Sequence, residues 1–362
     1  MNAAQEFELL HQAARTLELH GRTSEAALVT ITRTQGSTFR RAGASMLVLR
    51  DGRMVCELSG GCPQRDIVLR AQRAMASGEP ALVAYGRDSN YDVMIETGCG
   101  GELEVMIEPW RQTDDLRFLQ AIDELRQRRV PGVMATLFAA DGHALHPLRL
   151  VQSDSTVWTN IAESMLQEHV LASMASSSMP ASGAATSVLD VAGRRYDVLL
   201  ESLHPPHALV IIGDGIGAAM LAQLSFQLGW HTTLVNPAPS DSSCPVEVNR
   251  IVALPNELGS RVALDHLTSA VVMTHRLERD LAYVEPLMAT PVRYVGIIGS
   301  RDRARQIQAA FPNDARLHAP AGLDVGSETP QEIAIAIAAE ILATYNGRNG
   351  GPLVHSRLPI HA

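Results

Sequence analysis

The feature that most restricts the fold of this 362-residue chain is the run ALVIIGDGIGAAMLAQLSFQLGWHTTLVNP at 208–237. It reads as an apolar strand, a glycine turn, a helix and a second strand. Gly213, Gly215 and Ala218 fit the pattern G-x-G-x-x-[GA]. In that pattern the first glycine permits a sharp turn, the second lets backbone N–H groups approach a diphosphate, and the alanine packs the helix on the sheet. We therefore expect a Rossmann-like domain whose turn suits an anion.

The rest of the C-terminal half repeats this alternation. Strand-like runs at 250–254, 269–274 and 292–300 have helix-compatible sequence between most of them. Alternation of this kind predicts a parallel sheet with helices on both faces. A closing helix is marked by Thr329 as its N-cap and by Glu332, which completes a capping box.

The N-terminal half mixes strands and helices. The stretch EAALVTITRT at 25–34 is rich in β-branched residues, Asp51-Gly52 is typical of a tight hairpin, and 63–77 reads as a helix. The fold class we expect is α/β, with an N-terminal mixed α+β domain and a C-terminal Rossmann-like domain. The expected parts of the chain are 1–112, an intermediate segment 113–203 with a linker near 176–187, the domain 204–350 and a tail 351–362.

Composition excludes several classes of function. The net charge of −9 argues against nucleic acid or a membrane surface as partner, and 4% aromatic residues are too few for stacking platforms along a single strand. The N-terminus MNAAQEFELLHQAARTLELHG has neither the basic region nor the apolar region of a signal peptide. No apolar run approaches the length of a membrane span. We expect a soluble, cytoplasmic protein with reduced cysteines.

Several further motifs follow one another along the chain. They are GSTFRRAGASMLV (36–48), LSGGCPQRDIV (58–68), TGCGGELEVMIEP (97–109), ALVIIGDGIGA (208–218), VVMTH (271–275), YVGIIGSRDRA (294–304) and AGLDVGSETPQEIAIAIAAEI (321–341). Together, and in this order, they resemble the XdhC/CoxI family, accessory proteins for the maturation of molybdenum hydroxylases such as xanthine dehydrogenase. The resemblance covers nearly the whole chain and is weakest across about 111–200.

The resemblance implies an N-terminal CoxI-type domain and a C-terminal Rossmann-like domain. It implies a chaperone rather than an enzyme, which binds molybdenum cofactor (molybdopterin or its dinucleotide form), protects it and delivers it to a molybdenum hydroxylase apoenzyme. A role in sulfuration beside a cysteine desulfurase, contact with a molybdopterin nucleotidyltransferase, and a homodimer are further implications.

The chain departs from the family's usual pattern at several positions. Phe39 stands where the family commonly has proline, and Pro63 stands where valine is frequent. The turn reads GDGIGA where a small residue and a histidine are common, and Arg276-Leu277 replace a customary Asp-His pair. The last two departures lie in the Rossmann-like half.

Two of the four cysteines lie beside glycine pairs: Cys62 follows Gly60 and Gly61, and Cys99 precedes Gly100 and Gly101. The dipole at the start of a helix would lower the pKa of the Cys62 thiol. We hypothesise that both thiols face one cleft and contact the molybdenum of the cofactor or the sulfur transferred to it. The alternative is that both are small residues packed in tight loops.

The remaining candidates for cofactor binding are cationic or lie beside strand ends. Arg40 and Arg41 follow GSTF in a loop, and their guanidinium groups suit phosphate. Ser300 reads as the N-cap of a helix that begins near Arg301, and His275 follows a strand at the edge where open α/β sheets bind ligands. Solvated arginines and a structural histidine are the alternatives.

Two rival functions stay open. An NAD(P)-dependent oxidoreductase would use the turn at 213–218, but the acid that usually reads a ribose hydroxyl is absent, and Asn236 stands near the end of the second strand. A structural assembly factor for a molybdoenzyme would bind the partner without the cofactor.

Overall fold

The computed structural model describes residues 4–59, 62–86, 93–94, 101–176, 183–239 and 248–357. The chain divides into two compact units, Met1–Pro205 and Pro206–Ala362, which we call the N-terminal unit and the Rossmann unit. The predictions for Gly60, Gly61, Cys99 and Gly100 lie outside the described residues.

The N-terminal unit contains two sheets. Strands of the first are β1 (Ala26–Gln35), β2 (Ser45–Leu49), β3 (Met54–Val55), β4 (Ala81–Gly86), β5 (Val93–Met94) and β6 (Glu102–Pro109). Their order is β3-β2-β1-β6-β4-β5, and neighbours are antiparallel except for β4 and β5. The hairpin predicted at Asp51-Gly52 joins β2 to β3, and Gly52 has the positive φ of 85° that such a turn needs.

The second sheet is antiparallel throughout. It consists of β7 (Gly132–Ala140), β8 (His143–Gln152), β9 (Val157–Thr159), β10 (Ala184–Val191) and β11 (Arg194–Leu203), in the order β10-β11-β7-β8-β9. Residues 184–187 were expected in a linker, but they pair with β11, with Ala184 opposite Glu201. Serine and alanine content indicated a loop there because the partner strand that binds the segment cannot be read from local composition.

In the described ranges, three helices cover the two faces of the first sheet: α1 (Ala4–Leu19), α2 (Cys62–Ser77) and α3 (Arg117–Gln127). A fourth helix, α4 (Ser164–Ser176), packs on the second sheet. Alternate residues of β1 point to opposite faces, so Ala27 and Val29 pack with Ile67 of α2, whereas Leu28 packs with Phe7 of α1. Because both faces are buried, β1 is apolar along most of its length.

The Rossmann unit is built around one parallel sheet. Its strands are β12 (Ala208–Ile212), β13 (His231–Asn236), β14 (Asn249–Val252), β15 (Thr268–Val272), β16 (Tyr294–Ile297) and β17 (Leu317–His318). Their order is β14-β13-β12-β15-β16-β17, and every pair is parallel. The strand order reverses direction between β12 and β15, which is the point where such sheets bind ligands. The predicted α/β class and the predicted Rossmann-like domain are confirmed.

The helices of the Rossmann unit cover its sheet. They are α5 (Ile216–Gln227), α6 (Leu258–Arg261), α7 (Leu277–Met288), α8 (Arg301–Ala310) and α9 (Pro330–Tyr345). The predicted closing helix is present as α9: Thr329 caps it by accepting a hydrogen bond from the Glu332 backbone N–H, and Glu332 completes the capping box. Among the residues that the structure describes, no helix has the length and hydrophobicity that crossing a lipid bilayer requires.

Candidate functional site

Several of the predicted site segments leave the first sheet at the same edge. The strand register pairs Gln35, the last residue of β1, with Glu102, the first residue of β6, and β4 ends beside them because Tyr85 pairs with Leu103. The helix α2 begins at this edge, since Gln64 contacts Met46 near the start of β2 whereas Gln72 contacts Arg50 beyond its end. We call this the site edge.

The segment 36–44, between β1 and β2, is fixed by its own hydrogen bonds at the site edge. The Thr38 hydroxyl donates to the Arg40 carbonyl at 2.7 Å, and the Gly43 N–H donates to the Ile31 carbonyl at 2.8 Å. A Cβ at Gly101 would lie 2.1 Å from the Ser37 carbonyl oxygen, so only glycine permits this approach. The structure therefore brings the GSTFRR segment into contact with the residue that ends the TGCGG motif.

The two arginines of this segment have different surroundings. The Arg40 guanidinium donates to the Glu6 carboxylate of α1, and the side chains of this ion pair are 26% and 22% exposed. Arg41 is half-buried, and its guanidinium has no hydrogen-bond or ion-pair partner within the described ranges. Of the two arginines, Arg40 therefore holds the segment to α1.

Glu6 contacts a second segment at the site edge. Its backbone carbonyl accepts a 3.7 Å hydrogen bond from the thiol of Cys56, a non-glycine residue with a φ of 67°. Cys56 directly precedes the stretch that leads to Cys62. Sequence reasoning did not identify Glu6, because its partners are distant in sequence and no local pattern signals them.

The start of α2 is held by polar contacts around Gln64. The Gln64 amide oxygen accepts from the Ser59 N–H at 3.1 Å, and its nitrogen contacts the Met46 sulfur at 3.0 Å. The Tyr85 hydroxyl donates to Asp66 at 2.9 Å and ties the helix to β4. Cys62 is the first residue of α2, and its side chain lies outside the described part of the structure.

The glycine turn of the Rossmann unit has the conformation that the motif requires. Gly213 and Gly215 have φ angles of 135° and 94°, and a Cβ at Gly213 would lie 2.6 Å from the Met273 carbonyl oxygen. Gly215 caps α5 without any side-chain hydrogen bond, so the first-turn N–H groups of this helix lack a side-chain acceptor at the cap.

Asn236 has a structural role at the end of β13. It is buried, and in the amide orientation that satisfies its hydrogen bonds the nitrogen donates to the Gly213 carbonyl at 2.8 Å and to the Val235 carbonyl at 3.1 Å. The residue at the position of the ribose-reading acid is therefore bonded to the glycine turn. Sequence reasoning recognised the missing acid but not what the asparagine does instead.

The other candidates of the Rossmann unit lie after β15 and β16. His275 is exposed and has a φ of 60°, Ser300 caps α8 by accepting from the Arg303 N–H at 3.3 Å, and Arg301 is exposed at the first position of that helix. The predicted N-cap at Ser300 is confirmed.

A buried ion pair joins the segments that carry these residues. Asp280 of α7 is fully buried, accepts from the Thr274 hydroxyl at 2.6 Å and lies 3.3 Å from the Arg303 guanidinium. Arg303 also donates to the Ile298 carbonyl after β16. These contacts fix the backbone on both sides of the His275 and Ser300 positions.

Glu340 of α9 forms a second polar cluster in the Rossmann unit. Its carboxylate accepts from the Tyr294 hydroxyl at 2.5 Å and from the Gly322 N–H at 2.8 Å, and it bonds the His318 Nδ1 at 3.1 Å. Burial acts to raise the pKa of Glu340, but the bonds from His318, Tyr294 and Gly322 outweigh it and hold that pKa below its ordinary value. Burial and the neighbouring Glu340 raise the pKa of Tyr294 well above its ordinary value.

No group of three or more His, Cys, Asp or Glu side chains in the described ranges is arranged to hold a metal ion. The segment 36–44 brings two guanidinium groups, those of Arg40 and Arg41, to the site edge. Guanidinium groups suit phosphate rather than a metal ion.

Comparison with known proteins places these features in a family. The family model "XdhC and CoxI family" matches residues 19–86, and "XdhC Rossmann domain" matches residues 209–341. Together these matches cover more than half of the 362 residues.

Relatives align over most of the chain. A protein from Bacillus subtilis (strain 168), named as a probable subunit of xanthine dehydrogenase, is 26% identical over 88% of this chain and 93% of its own length. The molybdenum cofactor insertion chaperone PaoD of Escherichia coli (strain K12) is 21% identical over 87% of this chain and 82% of its own length.

A solved structure has the same fold. The crystal structure of a protein described as a xanthine dehydrogenase from Bacillus halodurans superposes with a TM-score of 0.76 at 22% identity, over 97% of this chain and 98% of that one. With both family models matched in order along a chain whose two units have the folds described above, this protein belongs to the XdhC/CoxI family.

Proposed function

We propose that this protein binds molybdenum cofactor as cargo, protects it, and delivers it to the apoenzyme of a molybdenum hydroxylase of the xanthine or aldehyde dehydrogenase type. The relative named a molybdenum cofactor insertion chaperone, which aligns with 87% of the chain, supports this function. Retention and release require binding groups and a partner-dependent change, and no chemical turnover by the protein itself.

The observation that carries the proposal is the shared site edge of the N-terminal unit. The arginine segment 36–44, the start of α2 at Cys62, and Gly101 all lie there. Molybdopterin presents a phosphate, a hydrogen-bonding pterin and a soft dithiolene-bound metal. A site for it needs cations, backbone donors and, near the metal, a soft ligand.

Each of these needs has a candidate at the site edge. Arg41, whose guanidinium has no partner among the described residues, is the candidate for the phosphate, and Arg40 has further N–H donors besides the one bonded to Glu6. Cys62 begins a sixteen-residue helix, where the dipole favours a thiolate. We propose that Cys62 and Cys99 guard the metal-sulfur end of the cargo, and that Gly60, Gly61 and Gly100 leave their backbone free to donate.

We extend the proposal to the glycine turn of the Rossmann unit. A dinucleotide form of the cofactor carries a diphosphate, and the turn at Gly213 and Gly215 meets an uncapped helix start that suits such a group. His275, Ser300 and Arg301 follow neighbouring strands at the same edge of this sheet.

The proposal also includes further partners and an oligomeric state. We propose that the protein supports sulfuration of the cofactor beside a cysteine desulfurase and contacts a molybdopterin nucleotidyltransferase. We also propose that it is a homodimer in the cytoplasm.

The bound cargo tests the proposal. The protein is purified from cells that produce molybdenum cofactor, and molybdopterin is oxidised to its fluorescent product and counted per chain. We expect a substantial fraction of chains to carry molybdopterin, and protein from cells unable to make the cofactor is the control. A chain that never carries molybdopterin above that control would refute the proposal.

Calorimetry with NAD(H) and NADP(H) separates this function from that of an oxidoreductase. Because the residue at the end of β13 is Asn236, no carboxylate stands at that position for a ribose hydroxyl. We expect no tight binding of either dinucleotide. Tight binding accompanied by hydride transfer would favour the rival function.

A further inference from the structure

We propose that Phe39 is the platform on which the pterin ring of the cargo stacks. This inference rests on the proposed function and adds to it a residue that fixes the orientation of the cargo. Phe39 lies in the segment 36–44 at the site edge, directly before the two arginines.

The exposure of Phe39 is unusual for this chain. Its side chain is 62% exposed, and among the aromatic side chains of the described residues only Phe226, at 43%, is exposed as well. The chain has only 6 phenylalanines, and the others in the described ranges are buried or half-buried. An aromatic ring left in water forgoes the stabilisation that burial would give, so a ligand that covers it recovers that stabilisation.

The segment that carries Phe39 is fixed before any ligand binds. Thr38 and Gly43 hold it by hydrogen bonds, the Glu6 carboxylate holds Arg40 on one side, and Ser37 rests against Gly101 on the other. A ring on a fixed backbone loses little conformational freedom when a ligand stacks on it. Preorganisation of this kind increases affinity without additional contacts.

The surroundings of Phe39 favour a small planar ligand over a protein partner. Its neighbours in sequence are Ser37, Thr38, Arg40 and Arg41, so the segment that carries the ring is polar and cationic. A protein interface usually needs a wider apolar patch. A pterin has a π-face for the ring and a phosphate for the guanidinium of Arg41, and stacking on an aromatic side chain is how proteins bind planar heterocycles of this kind.

Substitutions at Phe39 test the stacking. We compare the wild-type protein with Phe39→Ala, Phe39→Leu and Phe39→Tyr, and use Phe226→Ala as the matched control on an exposed phenylalanine elsewhere. Two measurements are made on each purified full-length protein. The first is molybdopterin retained per chain after dialysis, and the second is quenching of the fluorescence of neopterin, a pterin without metal or phosphate.

We expect Phe39→Ala and Phe39→Leu to bind neopterin on the order of tenfold more weakly and to lose molybdopterin faster, in line with the loss of one stacked ring. Phe39→Tyr and Phe226→Ala should match the wild type. Circular dichroism must show that every variant is folded, which is expected because both phenylalanines are exposed.

The outcomes distinguish this inference from the proposed function. If the wild type carries molybdopterin and Phe39→Ala retains it equally, the stacking is refuted and the chaperone function stands. If Phe39→Leu binds as well as the wild type, an apolar contact rather than stacking is responsible, and the inference fails. If the wild type carries no molybdopterin, the proposed function fails first.

Discussion

At the scale of single residues, Glu6 is the point where α1 holds two segments of the site edge. Its carboxylate bonds Arg40 and its carbonyl accepts from Cys56. The ion pair is not strong by itself, since a partly exposed pair contributes about 1 kcal/mol or less. What the contacts supply is a fixed position for the backbone on either side of the site.

We predict that Glu6→Gln weakens retention of the cargo more than it weakens the fold. The unfolding free energy should fall by less than about 1 kcal/mol, whereas retained molybdopterin should drop roughly fivefold because Arg40 is no longer held in place. Urea unfolding and the molybdopterin assay measure the two effects. The matched control is Glu25→Gln, which removes another arginine pair of the same unit, Arg22–Glu25, away from the site edge. Equal retention in both variants would contradict the role of Glu6.

The cysteines give the second prediction at this scale. Cys62→Ala and Cys99→Ala should each reduce retained molybdopterin by roughly tenfold, the size of effect seen when a group that supports a metal is lost. Cys244→Ala should retain the cargo, because Cys244 belongs to none of the motifs. If the Cys62→Ala and Cys99→Ala variants retain and transfer molybdopterin as the wild type does, the two thiols do not contact the cargo and have only a packing role.

The sequence predicts the structural roles of some residues and gives no signal for those of others. The roles of Thr329, Ser300 and Gly215 were predictable, because capping and left-handed turns depend on residues a few positions apart. The bonds of Glu6 and Asn236 were not predictable, because they join residues that only the folded chain brings together. The stacking and thiol hypotheses stay predictions.

At the scale of elements, short-range sequence signals predict most helices and strands. They do not predict which distant strands pair with each other. The helix predicted at 63–77 is α2, and the β-branched stretch at 25–34 is β1. The placement of β10 on β11, and of β11 beside β7, follows from contacts across many intervening residues. Local composition therefore predicts a linker where the folded chain has the start of β10.

The cluster under α9 makes the Rossmann unit sensitive to acid. The pKa of Glu340 is lower in the folded chain than its ordinary value. The ionised carboxylate therefore stabilises the fold above the ordinary glutamate pKa of about 4.3, and this contribution is lost as the pH falls through the lower folded-state value.

We predict that Glu340→Gln reduces the loss of stability of the Rossmann unit between about pH 5 and pH 3. At neutral pH the variant should be less stable than the wild type, because its amide accepts hydrogen bonds without a charge. Thermal unfolding across this pH range measures both effects. Glu285→Gln, on an exposed position of α7, should keep the wild-type profile. If Glu340→Gln loses as much stability between about pH 5 and pH 3 as the wild type, the carboxylate of Glu340 does not cause the acid sensitivity.

The buried pair between α7 and α8 gives a further prediction. Removing Asp280, which is 0% exposed, leaves Arg303 without its carboxylate and Thr274 without the closer of its two acceptors. We expect Asp280→Ala to lower the unfolding free energy by about 3 kcal/mol. Asp302→Ala, which breaks an exposed pair with Arg305 on the same helix, should cause no measurable change in urea unfolding. A small effect of Asp280→Ala would show that the pair does not fix these segments.

At the scale of the whole molecule, the chain combines two units of different architecture. One has mostly antiparallel sheets with a candidate site at one edge, and the other has a parallel sheet with a glycine turn. The strand order β14-β13-β12-β15-β16-β17 is that of dinucleotide-binding domains, but the chemistry at Asn236 differs from that of NAD-binding members. Fold alone therefore does not decide the function of this unit.

Transfer of the cargo tests the central claim most directly. The full-length protein is loaded in cells that make molybdenum cofactor, purified, and mixed with a cofactor-free xanthine dehydrogenase-type apoenzyme, and molybdopterin is then quantified on each protein after separation. We predict that molybdopterin leaves this chain and appears on the apoenzyme, which gains hydroxylase activity. A chain that carries no molybdopterin, or one that keeps it in the presence of the apoenzyme, would contradict the account.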